Sequence, residues 1–355
     1  VAAALARVLE GGVYILGDEV EAFEEEWARY CEVTGAVGVG TGTDALVLAL
    51  LASGAVRPGR GDEVITTPFS AAYTALAIVN AGGVPVFADI ASSSYTLDPG
   101  AVERAITPRT RAILPVHLYG QMADMAAIGD VARRRALIVI EDAAQAHGAR
   151  REGKRAGTHG QAAAFSFYPT KNLGAYGDGG AVVSLDSALL ARVKTLRQGG
   201  HPAALAAGGA GRNSRLDEVQ AAVLRVKLTR LEAWTRQRRA LAHFYDEALR
   251  GTRLQVPGGE GDAHVHHLYV VQHPERERLR AHLAARGIET LIHYPYLLHQ
   301  QPLFRNGPLP ALPVADGVAA RVLSLPLYPQ LQRSEAQSVI EAIADFDHGA
   351  RAARS

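Results

Sequence analysis

LIVIEDAAQAHG, residues 137–148, decides the fold. Leu137 to Ile140 is an apolar run with no polar alternation, so it reads as a strand buried on both faces. It ends in two carboxylates, Glu141 and Asp142. In a parallel α/β sheet, ligands bind beyond the carboxyl ends of the strands. An acid in that place faces a ligand, a metal or a helix terminus; its bland alternative is a cap on the AAQAHG segment that follows.

The same pattern recurs on both sides. DEVITTP (62–68), VPVFADI (84–90), RAILPVH (111–117), ALIVIED (136–142) and GGAVVSL (179–185) read as strands. AAYTALAIVNAG (71–82), PGAVERAIT (99–107), MAAIGDVARRR (125–135) and SALLARVKTLRQ (187–198) read as helices between or beside them. Strand–helix alternation with short apolar strands predicts an α/β fold, a mainly parallel central sheet covered by helices. Upstream, Phe23, Trp27 and Tyr30 sit at helical spacing in DEVEAFEEEWARYCEV, and GAVGVGTGTDALVLALLASGA reads as an extended segment, a glycine turn and a buried helix. After about Leu196 the rhythm changes. HPAALAAGGAG (201–211) reads as a loop, and residues 213–249 as one helical stretch without glycine or proline. HHLYVVQ, GIETLIHYP and a last helix near 336–346 make a small α+β unit. The division predicted is a large domain over 1–235 and a small C-terminal domain over 236–355.

Composition narrows the function. The 37 basic and 36 acidic residues leave a net charge of +1, which argues against a nucleic-acid or membrane-surface protein. One cysteine, Cys31, excludes an internal disulfide and is expected to be buried and inert. Arg7 and Glu10 interrupt the apolar opening, no signal peptide is visible, and no run is long enough to span a bilayer. The expectation is a soluble, cytoplasmic protein.

Lys171 lies in FSFYPTKNLGAYGDGG (165–180) and is one of only four lysines among the 37 basic residues. An arginine serves solubility equally well but stays protonated and cannot be an amine nucleophile. An apolar run precedes Lys171 and glycine-rich backbone follows it, so it is expected to be hemmed in, with a lowered pKa. GTGTDAL (40–46) places glycine at a helix start, a phosphate site by its free N–H groups, unless Asp44 merely caps the helix. A lysine nucleophile, an aspartate at a strand end and a helix terminus for phosphate are the set that pyridoxal 5′-phosphate (PLP) requires.

The words GDEVITTPF, ITPRTRAILPVHLYGQMADM, IEDAAQAHGA, FSFYPTKNLGAYGDGGAVV, NSRLDEVQAAVL and GIETLIHYP resemble the PLP-dependent nucleotide-sugar aminotransferases of the DegT/StrS family, in family order and over nearly the whole chain. The resemblance implies a type I aminotransferase fold and a homodimer with active sites at the interface. Lys171 matches the lysine that holds PLP as an imine, Asp142 the partner of the pyridinium nitrogen, and Gln145 the side chain near the ring hydroxyl. Gly42, Thr43 and Ser166 match the phosphate pocket. Asn213 matches an asparagine reaching the phosphate from the other subunit. His293 and Tyr294 match a segment near the sugar. Relatives with histidine at the lysine position remove a hydroxyl group; lysine favours transamination.

The implied activity moves an amino group from an amino acid, L-glutamate by expectation, through pyridoxamine phosphate to the C3 keto group of a dTDP-linked 6-deoxyhexose. The alternatives are C4 amination, or a non-catalytic regulator that binds PLP or a nucleotide sugar. Three departures stand out. Ala71 occupies the place of the aromatic residue that usually stacks on the ring, with Tyr73 two residues on. The 201–212 loop is mostly alanine and glycine. ASSSY replaces the usual word before TLDP, as a surface change. His117 reads as a hydrogen-bonded structural residue, HVHH (264–267) as a strand without a metal set, and RREGKR (150–155) as a solvated hairpin tip.

Overall fold

The computed structural model describes residues 1–199, 202, 211–256, 258–259, 261–305 and 310–352. The alanine- and glycine-rich loop, apart from residues 202 and 211–212, lies outside the described residues.

Helices α1 (Ala2–Gly11) and α2 (Asp18–Cys31) precede strand β1 (Gly35–Val39). α2 buries Phe23, Trp27 and Cys31 on one face, and its first turn carries Asp18, Glu19 and Glu21, which suit the positive end of the helix dipole. Next come α3 (Gly42–Ala52), β2 (Glu63–Thr66), α4 (Ala72–Asn80), β3 (Val84–Phe87), α5 (Pro99–Ala105), β4 (Thr110–Leu114), α6 (Met125–Arg135) and β5 (Ile138–Asp142). A two-stranded hairpin, β6 (Arg150–Arg151) with β7 (Lys154–Arg155), is the RREGKR tip. β8 (Ala162–Ser166), β9 (Gly180–Ser184) and α7 (Ser187–Leu196) complete this part.

Seven strands form one sheet in the order β1-β9-β8-β5-β4-β2-β3. The pairs β3–β2, β2–β4, β4–β5 and β5–β8 are parallel, while β9 runs antiparallel to both β8 and β1. Every apolar run read as a strand forms one. The sequence marked β8 only as the apolar run before Lys171, one of two apparent strands around that residue; three alanines give it little β propensity, and β5 and β9 bond to it on both sides. α3 is buried all round from Ala45 to Leu50, as a helix packed between a sheet and other helices must be.

The helical stretch after residue 213 is two helices, α8 (Glu218–Leu228) and α9 (Leu231–Ala248), with a turn at Thr229–Arg230. The core they bury against changes along the stretch, with Leu231, just past the turn, still in the first one. Ala221 and Leu224 join the core beneath the large sheet; Ala242 and Tyr245 join a C-terminal cluster with Tyr269, Leu279 and Ile343. The C-terminal cluster contains β10 (Tyr269–Gln272) paired antiparallel with β11 (Val322–Leu325), and α10 (Arg276–Ala284). α11 (Pro313–Ala319) packs its Ala315 and Val318 into the core of the large sheet, and α12 (Arg333–Ala352) closes the chain.

HVHH is not a strand. His264 makes a one-residue bridge to Gln121, His266 has φ +46°, and β10 starts only at Tyr269. His264 Nδ1 accepts the His266 N–H at 2.9 Å, which bends the backbone out of extended geometry. Among the described residues no helix is long and apolar enough to cross a membrane.

Candidate active site

The carboxyl ends of β5 and β8 open into a cavity of about 1220 Å³. Asp142 is the last residue of β5 and 5% exposed. Its Oδ2 accepts from Thr74 Oγ1 at 2.8 Å and its Oδ1 from the Ala144 N–H at 3.2 Å. Ser70 bonds the Thr74 hydroxyl in turn at 3.0 Å. Burial raises the Asp142 pKa; Thr74, Ala144 and the charge of Lys171 oppose it without cancelling it. A cation set against this carboxylate therefore meets a partner that desolvation has left wanting one.

Lys171 follows β8 in a tight turn. Its N–H bonds the Tyr168 carbonyl at 2.8 Å, and the Ala175 N–H returns to Phe167 at 2.7 Å. Burial lowers its amine from 10.5 to about 8, against the opposing pull of Asp142. Among the described residues Nζ has no hydrogen-bond partner, so none of them occupies its donors or its lone pair.

The first turn of α3 borders the same cavity. Thr41 caps it by accepting the Asp44 N–H at 3.0 Å, while Gly42 and Thr43 line the cavity with Ser166. Asp44 is turned aside: it accepts from Ser214 Oγ at 2.8 Å and lies 3.4 Å from Arg212, so its charge does not bar an anion from the helix start. Gly42 is required by contact, because a Cβ there would come within 2.6 Å of Ser166 Cβ. Gly180 is required likewise, its Cβ position lying 2.4 Å from the Thr41 carbonyl.

Gln145 Oε1 accepts the Tyr119 N–H at 2.6 Å, and its Nε2 donates to the Tyr294 hydroxyl at 3.0 Å. The Tyr119 hydroxyl donates to the His293 carbonyl, and His293 Nδ1 meets Ser324 Oγ at 2.8 Å. These bonds bring the 293–294 segment over the sheet to the cavity wall. Ala71 and Tyr73, at the start of α4, also line the cavity, and Tyr73 is 64% exposed. Asn213 is exposed and outside the cavity, although Arg212 and Ser214 on either side of it are tied to Asp44. The structure thus brings Lys171, Asp142, Gln145, Gly42, Thr43, Ser166, His293 and Tyr294 together, and leaves Asn213 apart.

Other residues support the site: Glu141 and His117 stood out in the sequence, whereas His147, Asn172 and Glu218 gave no signal there. Glu141 is fully buried; its pKa is raised by burial but lowered overall by His117 and by backbone donors. It accepts from the N–H groups of Gly157, His159 and Gly160 and pairs with His117 Nε2 at 2.9 Å, so His117 has the structural role expected. His147 bonds the Ser166 carbonyl at 2.9 Å from within the Trp27, Phe165 and Phe167 cluster. Asn172 donates to the Val265 carbonyl and meets His267 Nδ1, both at 3.2 Å. Glu218 caps α2 from afar, accepting from Gly17, Glu19 and Val20 at 2.7, 2.8 and 3.0 Å.

The model of the DegT/DnrJ/EryC1/StrS aminotransferase family matches residues 1–344. A Streptomyces venezuelae protein, dTDP-3-amino-3,4,6-trideoxy-alpha-D-glucose transaminase, is 49% identical over 97% of this chain and 91% of its own length. A Geobacillus stearothermophilus protein named pleiotropic regulatory protein is 45% identical over 96% of this chain and 93% of its own. The crystal structure of S. venezuelae DesV in complex with a ketimine intermediate superposes with a TM-score of 0.92 at 48% identity, covering 98% of this chain and 94% of that one.

Proposed function

The chain belongs to the DegT/DnrJ/EryC1/StrS aminotransferase family, and on that premise we propose that it moves the amino group of L-glutamate to C3 of a keto sugar carried on dTDP. The net reaction turns the amino acid into 2-oxoglutarate and the ketone into an amine. The transaminase names of its relatives support the carbon and the nucleotide. The observation that carries the reading is Lys171: an amine lowered to about 8, within electrostatic reach of Asp142, in one cavity with an unobstructed helix start.

These residues fit PLP. Gly42, Thr43 and Ser166 would hold its phosphate at the α3 N-terminus, Asp142 its ring nitrogen, Gln145 its hydroxyl, and Lys171 its aldehyde. When bound, the cofactor supplies an electron sink for the carbon that carries the nitrogen. The protein supplies the rest. Asp142, held by Thr74 and Ala144, would set its carboxylate against the ring nitrogen. In the first half of the reaction Lys171 Nζ takes a proton from the donor's carbon, and in the second it delivers one to C3 of the sugar, work that an amine poised near neutral pH does well. His293 and Tyr294, tied through Tyr119, Gln145 and Ser324, border the space for the sugar. Residues 1–235 form the cofactor domain and 236–355 the smaller one. The reading includes a homodimer, with Asn213 directed to the phosphate site of a second copy, and a cytoplasmic location.

A regulator that only binds PLP is the second reading, and the names of two relatives point that way. The desolvated amine of Lys171 argues against it, since burying a lysine costs stability that binding alone does not require. The purified protein with PLP and L-glutamate should form 2-oxoglutarate, and with a dTDP-3-keto-6-deoxyhexose an amino sugar whose NMR spectrum places nitrogen on C3. Lys171→Ala should abolish both. No 2-oxoglutarate refutes the aminotransferase; nitrogen on C4 refutes the regiochemistry.

A further inference from the structure

One stretch of the cavity wall is not used by the cofactor set. Trp234 and Arg238 lie one turn apart on the same face of α9, and both border the cavity, as does Lys227 from the last turn of α8. Arg238 is 7% exposed, yet among the described residues it pairs with no carboxylate. Its Nη1 donates to the carbonyls of His266, His267 and Leu327 at 3.2, 3.3 and 3.1 Å, and its Nε has no partner. Lys227 donates to the Gly174 carbonyl at 2.6 Å and lies over the Tyr176 ring, again with no acid. The carboxylates lining this cavity are Asp142, engaged with Thr74 and Ala144, and Asp178, which pairs with neither cation. Burial alone displaces the ionisation of both cations, downward. Two cations held without counter-charge beside a half-buried indole are arranged for a ligand that brings an anion and a flat ring together.

We infer that Lys227, Trp234 and Arg238 seat the nucleoside diphosphate of the sugar substrate, with the two cations on the phosphates and the Trp234 face under the base. The inference rests on the nucleotide-sugar reading above. It adds where that substrate is gripped: on helices that do not touch the reacting carbon, so the nucleotide anchors the sugar toward Lys171 without taking part in proton transfer.

Trp27 and Trp234 are the chain's two tryptophans, and Trp27 is fully buried, so a change in emission on adding dTDP reports on Trp234. The PLP-loaded protein titrated with dTDP should show saturable quenching, lost in Trp234→Leu. Calorimetry should find dTDP binding weakened about tenfold in Lys227→Met and in Arg238→Lys, with thymidine, which lacks the phosphates, bound as in the wild type. Should Arg238→Lys fail to fold, Lys227→Met carries the test. Unmoved emission at saturating dTDP, or unchanged dTDP affinity in Lys227→Met, overturns the inference. So does an equal loss for dTDP and thymidine. Failure of the aminotransferase reading looks different: the wild type would form no 2-oxoglutarate, whatever dTDP does to its emission.

Discussion

The Lys171 amine gives a test whose sign is easy to get wrong. Burial lowers it from 10.5 to about 8. At pH 7 an amine with the higher value is neutral in about one molecule in 3000, and one with the lower value in about one in ten, a gain of roughly 300-fold. Only the neutral amine attacks an aldehyde. Cofactor-free protein mixed with PLP should therefore capture it at a rate that climbs about tenfold per pH unit and levels off near 8. Asp142 enters with the opposite sign to burial, since its charge stabilises the ammonium. Asp142→Asn removes that charge and keeps the shape. A damaged site would be expected to react more slowly. Electrostatics predicts that the inflection moves down by about one pH unit and that capture at pH 7 becomes faster, although the cofactor is then held less firmly. Stopped-flow absorbance across a pH series, with a soluble amine as the control for titration of PLP itself, reads both quantities. A wild-type inflection near 10.5 refutes the desolvation argument, and an upward move in Asp142→Asn refutes the sign assigned to the carboxylate.

Gly42→Ala puts a methyl group 2.6 Å from Ser166 Cβ; the α3 start must move, and PLP should dissociate at least about tenfold more readily in equilibrium dialysis while circular dichroism stays native. Glu218→Ala strips three backbone N–H groups at the α2 start of their acceptor and should lower stability by about 2–3 kcal/mol in urea unfolding. Acid should weaken the fold before the carboxylates titrate. Burial holds His147 at about 3 and His266 at about 4, below the ordinary 6.5. Their contribution is complete above 6.5 and is lost as pH falls through the folded values, because the unfolded chain binds the protons first. At pH 5 each should cost about 2 kcal/mol relative to pH 7.5, and His147→Gln should flatten that slope; a denaturant midpoint constant from pH 7.5 to 5 refutes the assignment.

What the sequence carried and what it hid follow from the range of the forces. β2 to β5 were legible because each is a local apolar run, and Asp142 because a charge ending such a run is anomalous on its own. Lys171 stood out against a background of arginine. β8 was only faintly legible, as the apolar run before Lys171, since its three alanines are held as a strand by two neighbours. The 213–249 helix was read as continuous because no residue type breaks it; the turn at Thr229–Arg230 has no local signature, and the core the chain packs against changes only beyond Leu231. Glu218 and Glu141 act on backbone N–H groups, which have no side-chain signature in any sequence, and Glu218 does so about two hundred positions away. Arg238 was hidden for the same reason: its partners are carbonyls of three residues whose identities do not matter to it. A reading from residue types finds groups that do chemistry on ligands, because those must be of one kind. It misses groups that do their work on the main chain, because there any residue can be the partner. The unpaired cations of the α8–α9 wall fall between the two. Their types are common, and only their lack of an acid within a cavity marks them, a property of the folded chain alone.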